Sequence, residues 1–145
     1  MEDKAFKPIY TRSRLEARES GEIPQWRESY QENCRCADAI DRTISVCFDG
    51  MHLRQDCCDA VMEEFGTERV LLVLANTLQI KNYDGRFHQD NRDWAQDFPV
   101  YPEDRVSSDF ALRSHPAVLD GFVSLARDYA DEHMRIEQES GIVPQ

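Results

Sequence analysis

The stretch ERVLLVLANTLQIKNYDGRFHQDNRDW, Glu68 to Trp94, joins the most apolar run of the chain to its most crowded set of polar side chains through one Asp84-Gly85 turn. Its first half decides the fold. Val70 to Ala75, VLLVLA, has the length of a buried strand. Its continuation through Asn76, Thr77, Leu78 and Gln79 favours a helix instead, and so does the Thr67-Glu68 start. The spacing predicts a helix over about 68–80, capped by Thr67, with Glu68 near the positive end of the backbone dipole.

Upstream, Leu53, Cys57, Val61, Met62 and Phe65 form the inward face of a helix over about 53–65, stopped by Gly66. Before it, Trp26, Tyr30, Asn33, Ala37, Ile40, Ile44 and Cys47 recur at three- and four-residue steps. That is one buried face over about six turns, with Pro24 suited to the first turn and Asp49-Gly50 ending it. Thr11 or Ser13 caps a short helix through about Ser20, anchored by Leu15 and stopped by Gly21. Residues 1–10 form a loosely ordered arm.

Downstream of the turn, a short helix over about 89–97 presents Trp94 and Phe98, with Phe87 as an anchor before it. Pro99 and Pro102 then impose an extended segment, FPVYPEDRVSS. Ser114 or His115 caps a final helix with Pro116 in its first turn. Its stripe runs Val118, Leu119, Phe122, Leu125, Ala126, Tyr129, His133 and Ile136, and Gly141 and Pro144 end it. No alternating strand pattern and no internal repeat interrupt this order. The expected architecture is all-α, with about five or six helices in one domain over 11–140 and a tail at 141–145.

The 145 residues suit one domain with a real core. The charge is unevenly placed. Residues 1–20 carry five bases and four acids, a net of +1, so the other 125 residues carry −12 of the total −11. Such a body repels phosphate backbones, which disfavours ordinary nucleic-acid binding, including binding through a basic arm of Arg12, Arg14 and Arg18. It suits either solubility or a basic partner surface. The longest apolar run, Val70 to Ala75, is far short of a membrane span, and residues 1–20 lack the apolar core of a signal peptide. With five cysteines, an odd number, these features predict a cytoplasmic protein with reduced thiols.

Cys34 and Cys36 are two apart on a helix and Cys57 and Cys58 adjacent, so neither pair shares a face. Zinc ligands lie on knuckles at other spacings, so small buried thiols are the better reading and no metal or cofactor is expected. A thiol nucleophile needs a nearby base, and His52, His88, His115 and His133 are not locally paired with any cysteine. Phosphate-binding loops and hydrolase elbows are missing. Asp90, Asp93 and Asp97 fall three and four residues apart, on one face of the short helix. They make a candidate charged contact face, extended by Glu103, Asp104 and Asp109. Over 90–109 six acids face two bases.

The sharpest cluster is Asp84, Arg86, His88, Asn91, Arg92 and Trp94, which places acid, amide, guanidinium, imidazole and indole groups within eleven residues. It is a candidate binding site braced against Asn76 and Gln79. The competing reading is structural: Asp84 and Arg86 hydrogen-bond the turn, while Phe87 and Trp94 plug the core. No catalytic residue is assigned.

Four ordered motifs carry a resemblance: FDGMHL at 48–53, LANTLQ at 74–79, YDGRFHQDNRDWA at 83–95 and SHPAVLDGF at 114–122. Over roughly residues 10–130 the chain resembles an uncharacterised bacterial domain family, carried by phage and mobile-element proteins of gut Gram-positive bacteria. The resemblance implies a genomic setting and no activity. The chain departs from that pattern at His88, where the family motif has serine. Two function classes follow. One is a non-enzymatic interaction protein, in its sharpest form a counter-defence (anti-CRISPR or anti-restriction) inhibitor whose acidic face occupies the basic nucleic-acid surface of a host nuclease. The other is a small enzyme or nucleotide-binding domain built on the cluster after Asp84-Gly85.

Overall fold

The computed structural model describes residues 14–98 and 111–142, with 134–142 described by backbone alone. Six helices order these residues: α1 (Arg14–Glu19), α2 (Ile23–Cys47), α3 (Gln55–Phe65), α4 (Thr67–Ile80), α5 (Gln89–Ala95) and α6 (Pro116–Ile142). No strand occurs among the described residues, so the all-α expectation holds. None of the helices there is long and apolar enough to cross a membrane.

The apolar half of the opening stretch is the central helix. Val70 and every residue from Leu72 to Leu78 are buried, so α4 is covered on nearly all sides, as a helix without a polar face must be. It packs against α2, α3, α5 and α6. Ile40 and Ile44 of α2, Val61 and Met62 of α3, and Leu119, Phe122, Val123 and Ala126 of α6 close around it. Each of the larger of these side chains contributes about 1.5–3 kcal/mol when fully buried, and this burial dominates the fold.

Polar groups lock the connections. Gly66 alone separates α3 from α4, at φ 91°, a backbone conformation that disfavours a side chain. Thr67 therefore begins α4 instead of capping it: a one-residue link leaves the cap position to Gly66. At the start of α6, His115 is the one of the two candidate caps, Ser114 and His115, whose side chain accepts there, its Nδ1 taking the Ala117 N–H. Asp41 of α2 accepts from the backbone N–H groups of Arg113 and Ser114 and, at 2.6 Å, from the Ser114 hydroxyl. Leu112 N–H donates to the buried Thr77 hydroxyl, tying the same segment to α4.

Several anchors differ from expectation. In α1 the buried residue is Ala17, and Leu15 is 54% exposed, because a helix this short meets α2 along only one narrow edge. In α3 the inward thiol is Cys58 and not Cys57. α5 ends at Ala95, two residues earlier than expected, and α6 continues past Gly141 to Ile142. His133 is exposed and stacks on Tyr129 with 3.8 Å between ring centroids. The five thiols are not all reduced: Cys47 and Cys57 form a disulfide. The loop between α2 and α3 brings their Cα atoms to 6.7 Å, within reach of a bridge, although ten residues separate them in sequence. Cys34, Cys36 and Cys58 are outside the bridge, Cys36 and Cys58 buried and Cys34 half-buried. The arm at 1–10 and most of FPVYPEDRVSS lie outside the described residues.

Candidate functional site

The cluster after the Asp84-Gly85 turn is one physical unit, and most of its groups face each other or backbone. Asp84 is 9% exposed in its side chain and takes both arms of Arg86, at 3.0 Å from Nε and 2.8 Å from Nη2. The same carboxylate accepts the Arg86 backbone N–H at 3.0 Å, closing the turn. The guanidinium and the backbone N–H of Arg86 hold the Asp84 carboxyl at about 2, well below the usual carboxylate range.

His88 ends the turn and starts α5. Its Nδ1 accepts from the Asp90 N–H at 3.1 Å, so the ring caps the helix and presents its lone pair there. The His88 N–H donates in turn to Asp120 Oδ1 of α6 at 2.8 Å.

Asn91 is the buried centre. Its amide nitrogen donates to Asp120 Oδ1 (2.9 Å), to Ser124 Oγ (3.2 Å) and to the Asp120 carbonyl (3.3 Å). Its Oδ1 accepts from Arg127 at 2.7 Å. The Arg127 guanidinium also lies 5.4 Å from the centroid of the Trp94 ring, and Trp94 meets Phe98 edge-on at 4.8 Å. Arg92 folds back on the turn, donating to the carbonyls of Asn82 and Phe87 and to Gln89 Oε1. Gln79 of α4 donates to the carbonyls of Ala95 and Phe98, which satisfies the C-terminal end of α5. These bonds hold the end of α5 through backbone carbonyls, where the sequence suggested a brace on the cluster's side chains from Asn76 and Gln79.

The six residues of the cluster therefore fall into two layers. Asn91, Arg92, Trp94 and Asp84 secure the segment. Arg86 (58% exposed side chain) and His88 (67%) keep an outer edge in solvent, next to Tyr83 at 83% exposure. Sequence reasoning missed Tyr83, an exposed aromatic at the turn. It also missed Asp120, Ser124 and Arg127, which complete the network from thirty residues away. Their only sequence signal is spacing, since 120, 124 and 127 share one face of α6.

The acidic face is separate. Asp90, Asp93 and Asp97 are all exposed. Asp93 accepts from Gln89, Asp90 has only His88 at 4.0 Å, and neither Asp93 nor Asp97 pairs with a Lys or Arg among the described residues. Arg92, the one base of α5, makes no ion pair with them: its guanidinium lies on the carbonyls of Asn82 and Phe87 and on Gln89 Oε1, whose amide nitrogen donates to Asp93. Glu103, Asp104 and Asp109 lie outside the described residues. Among the described residues, no three His, Cys, Asp or Glu side chains converge as a metal-ligand group.

No curated protein and no solved structure matches the chain. Residues 9–131 match a family described as a protein of unknown function (DUF3849), and the chain belongs to that family.

Proposed function

We propose that this chain is a non-enzymatic interaction protein that meets a basic protein surface through the outer face of α5 and the neighbouring turn. The observation that carries the reading is the orientation of Arg92. With its guanidinium folded onto the carbonyls of Asn82 and Phe87, the outer face of α5 keeps Asp90, Asp93 and Asp97 without a neutralising base among the described residues. A body of net −12 over residues 21–145 reinforces that field and raises the encounter rate with a basic partner. Tyr83 and Arg86, exposed at the neighbouring turn, are residue types that anchor protein interfaces.

In its narrower form, the reading makes the chain a phage or mobile-element product. Its partner is then the nucleic-acid channel of a host nuclease, which presents the Arg and Lys that such a face would engage. The alternative, a small enzyme or nucleotide-binding domain, draws less support, because Asp84, Asn91 and Arg92 direct their polar atoms at turn and helix packing.

The test is binding of the full chain to purified CRISPR and restriction nucleases at low ionic strength, beside the variant D90K/D93K/D97K. A complex that is lost in the variant, and weakened at several hundred millimolar salt where surface charges are screened over about 3–10 Å, supports the reading. No complex with any of them removes the nuclease form. A complex that the triple reversal leaves intact removes the acidic face.

A further inference from the structure

The disulfide between α2 and α3 joins two unlike ends. Cys47 is the last residue of α2, where the helix presents its partly negative carbonyl end. Cys57 is the third residue of the eleven-residue α3, at the partly positive end. Arg54 Nη2 also lies 3.3 Å from Cys57 Sγ, while its Nε is 3.5 Å from Asp56 on the exposed side. Negative charge arriving on the Cys57 sulfur is therefore stabilised from two directions, and negative charge on Cys47 from neither. Both cysteines are partly exposed. Cys36 and Cys58 are not, and burial pushes their thiols up to about 12, which keeps them protonated and slow.

We propose that the Cys47–Cys57 disulfide is a thiol–disulfide exchange site, opened by a dithiol reductant that attacks the sulfur of Cys47 and expels Cys57. The attacking thiolate forms a bond to Cys47 Sγ as the S–S bond breaks, and the bonding pair leaves on Cys57 beside Arg54. The second thiol of the reductant then loses its proton and displaces Cys47 from the mixed disulfide. The protein gains two electrons and two protons, and the reductant leaves as its own disulfide. A departing sulfur that carries negative charge well makes the first step fast, and it fixes which sulfur is attacked.

The site controls a specific piece of surface. The bridge closes the loop that carries Phe48, Met51 and Leu53, and these residues wall a groove of about 260 Å³ whose other side is Val118 and Leu125 of α6. Met51 is 79% exposed and Asp49, Gly50, His52 and Arg54 are exposed, so opening the bridge removes the covalent tie and leaves the loop held by the Asp49 carboxylate on the Met51 and His52 N–H groups and by Leu53 against the core. Ile44, Val61 and Met62 stay packed in the core on either side of it.

Oxidised full-length chain is exposed to reduced glutathione under native conditions, quenched with acid, alkylated and mapped by mass spectrometry. The expected product carries glutathione on Cys47 and an alkylated thiol on Cys57, with Cys36 and Cys58 unmodified and the helical circular dichroism unchanged. Arg54→Gln, at an exposed position, should slow this opening about threefold without altering the fold. Glutathione found on Cys57 in equal or greater share overturns the proposal. Reduction no faster than global unfolding, an unchanged rate in Arg54→Gln, or five free thiols after treatment with glutathione disulfide would each do the same.

Discussion

The two halves of residues 68–94 are held in place by different physics. In α4, Val70, Val73, Leu74, Ala75 and Leu78 have no exposed surface, and the helix is fixed by apolar contact with its neighbours. Beyond the turn, α5 has seven residues, too few to persist by itself, and only Asn91 and Ala95 of it are buried. It is fixed by hydrogen bonds from Asn91, Arg92 and Gln79 and by the Asp84–Arg86 pair at the turn. A dense polar cluster in a sequence can thus mark the anchoring of a short helix as readily as a site of chemistry.

The comparison breaks most visibly in the core. Leu74→Ala removes a fully buried side chain from the most enclosed helix and should lower unfolding free energy by about 2–5 kcal/mol, read from urea denaturation. Because α4 touches four other helices, all probes should lose stability together. A loss below about 1 kcal/mol would mean that α4 is not the enclosed centre.

Asn91→Ala is the matching cut in the polar half. It leaves Arg127 without the acceptor at 2.7 Å and takes the amide donor from Asp120 and Ser124, a loss of about 1–3 kcal/mol. Hydrogen exchange should show where this falls: amides of α5 and the 81–88 turn lose protection, while those of α2 and α4 keep most of theirs. Unchanged protection in α5 would show that apolar contacts through Phe87 and Trp94 suffice, and the contrast between the halves would dissolve.

Acid sharpens the comparison further, since it acts on the turn and leaves apolar burial untouched. The folded Asp84 carboxyl, at about 2, lies below its unfolded value of roughly 3.9. The stabilisation is therefore complete above the unfolded value and disappears as pH falls from about 4 toward 2. Asp84→Asn should be less stable than the parent at pH 6, and the gap should close on acidification. A gap that stays constant between pH 6 and 2 would show that the carboxylate charge contributes nothing to the turn.

The core half was legible because apolar patterning reports burial directly: the stripes of α2 and α6 place Ile40 and Phe122 inside from spacing, and the unbroken apolar run of α4 places Leu74 there. The polar half was legible only as a cluster. Whether Asn91 faces solvent or Asp120 depends on how α5 docks on α6, and that contact spans 29 residues of sequence. Cys47 and Cys57 show the same limit, since their approach is set by the loop between two helices and not by a spacing rule. His88 was placed in the cluster, yet its role as a cap needed the angle at which the chain enters α5. Thr67 shows the opposite error, a residue of capping type displaced because a single glycine occupies the whole connection.

The smallest expected effect on stability falls on the acids, and for that reason it isolates function from fold. Asp90, Asp93 and Asp97 are exposed, and among the described residues none holds a salt bridge to Lys or Arg that a change would break. The triple reversal to lysine should therefore shift the melting temperature by no more than about 3 °C. Asp90 also sits in the first turn of α5, where a negative charge suits the helix dipole, so whatever loss appears should map to Asp90→Lys. Asp97→Lys, past the last helical residue, should be neutral or slightly favourable by the same argument. Carboxylates that structure does not need and solvent can reach are the ones free to meet a partner. A large loss of stability from Asp93→Lys or Asp97→Lys would move those residues from the contact face into the brace, and the division between the two layers of this segment would have to be redrawn.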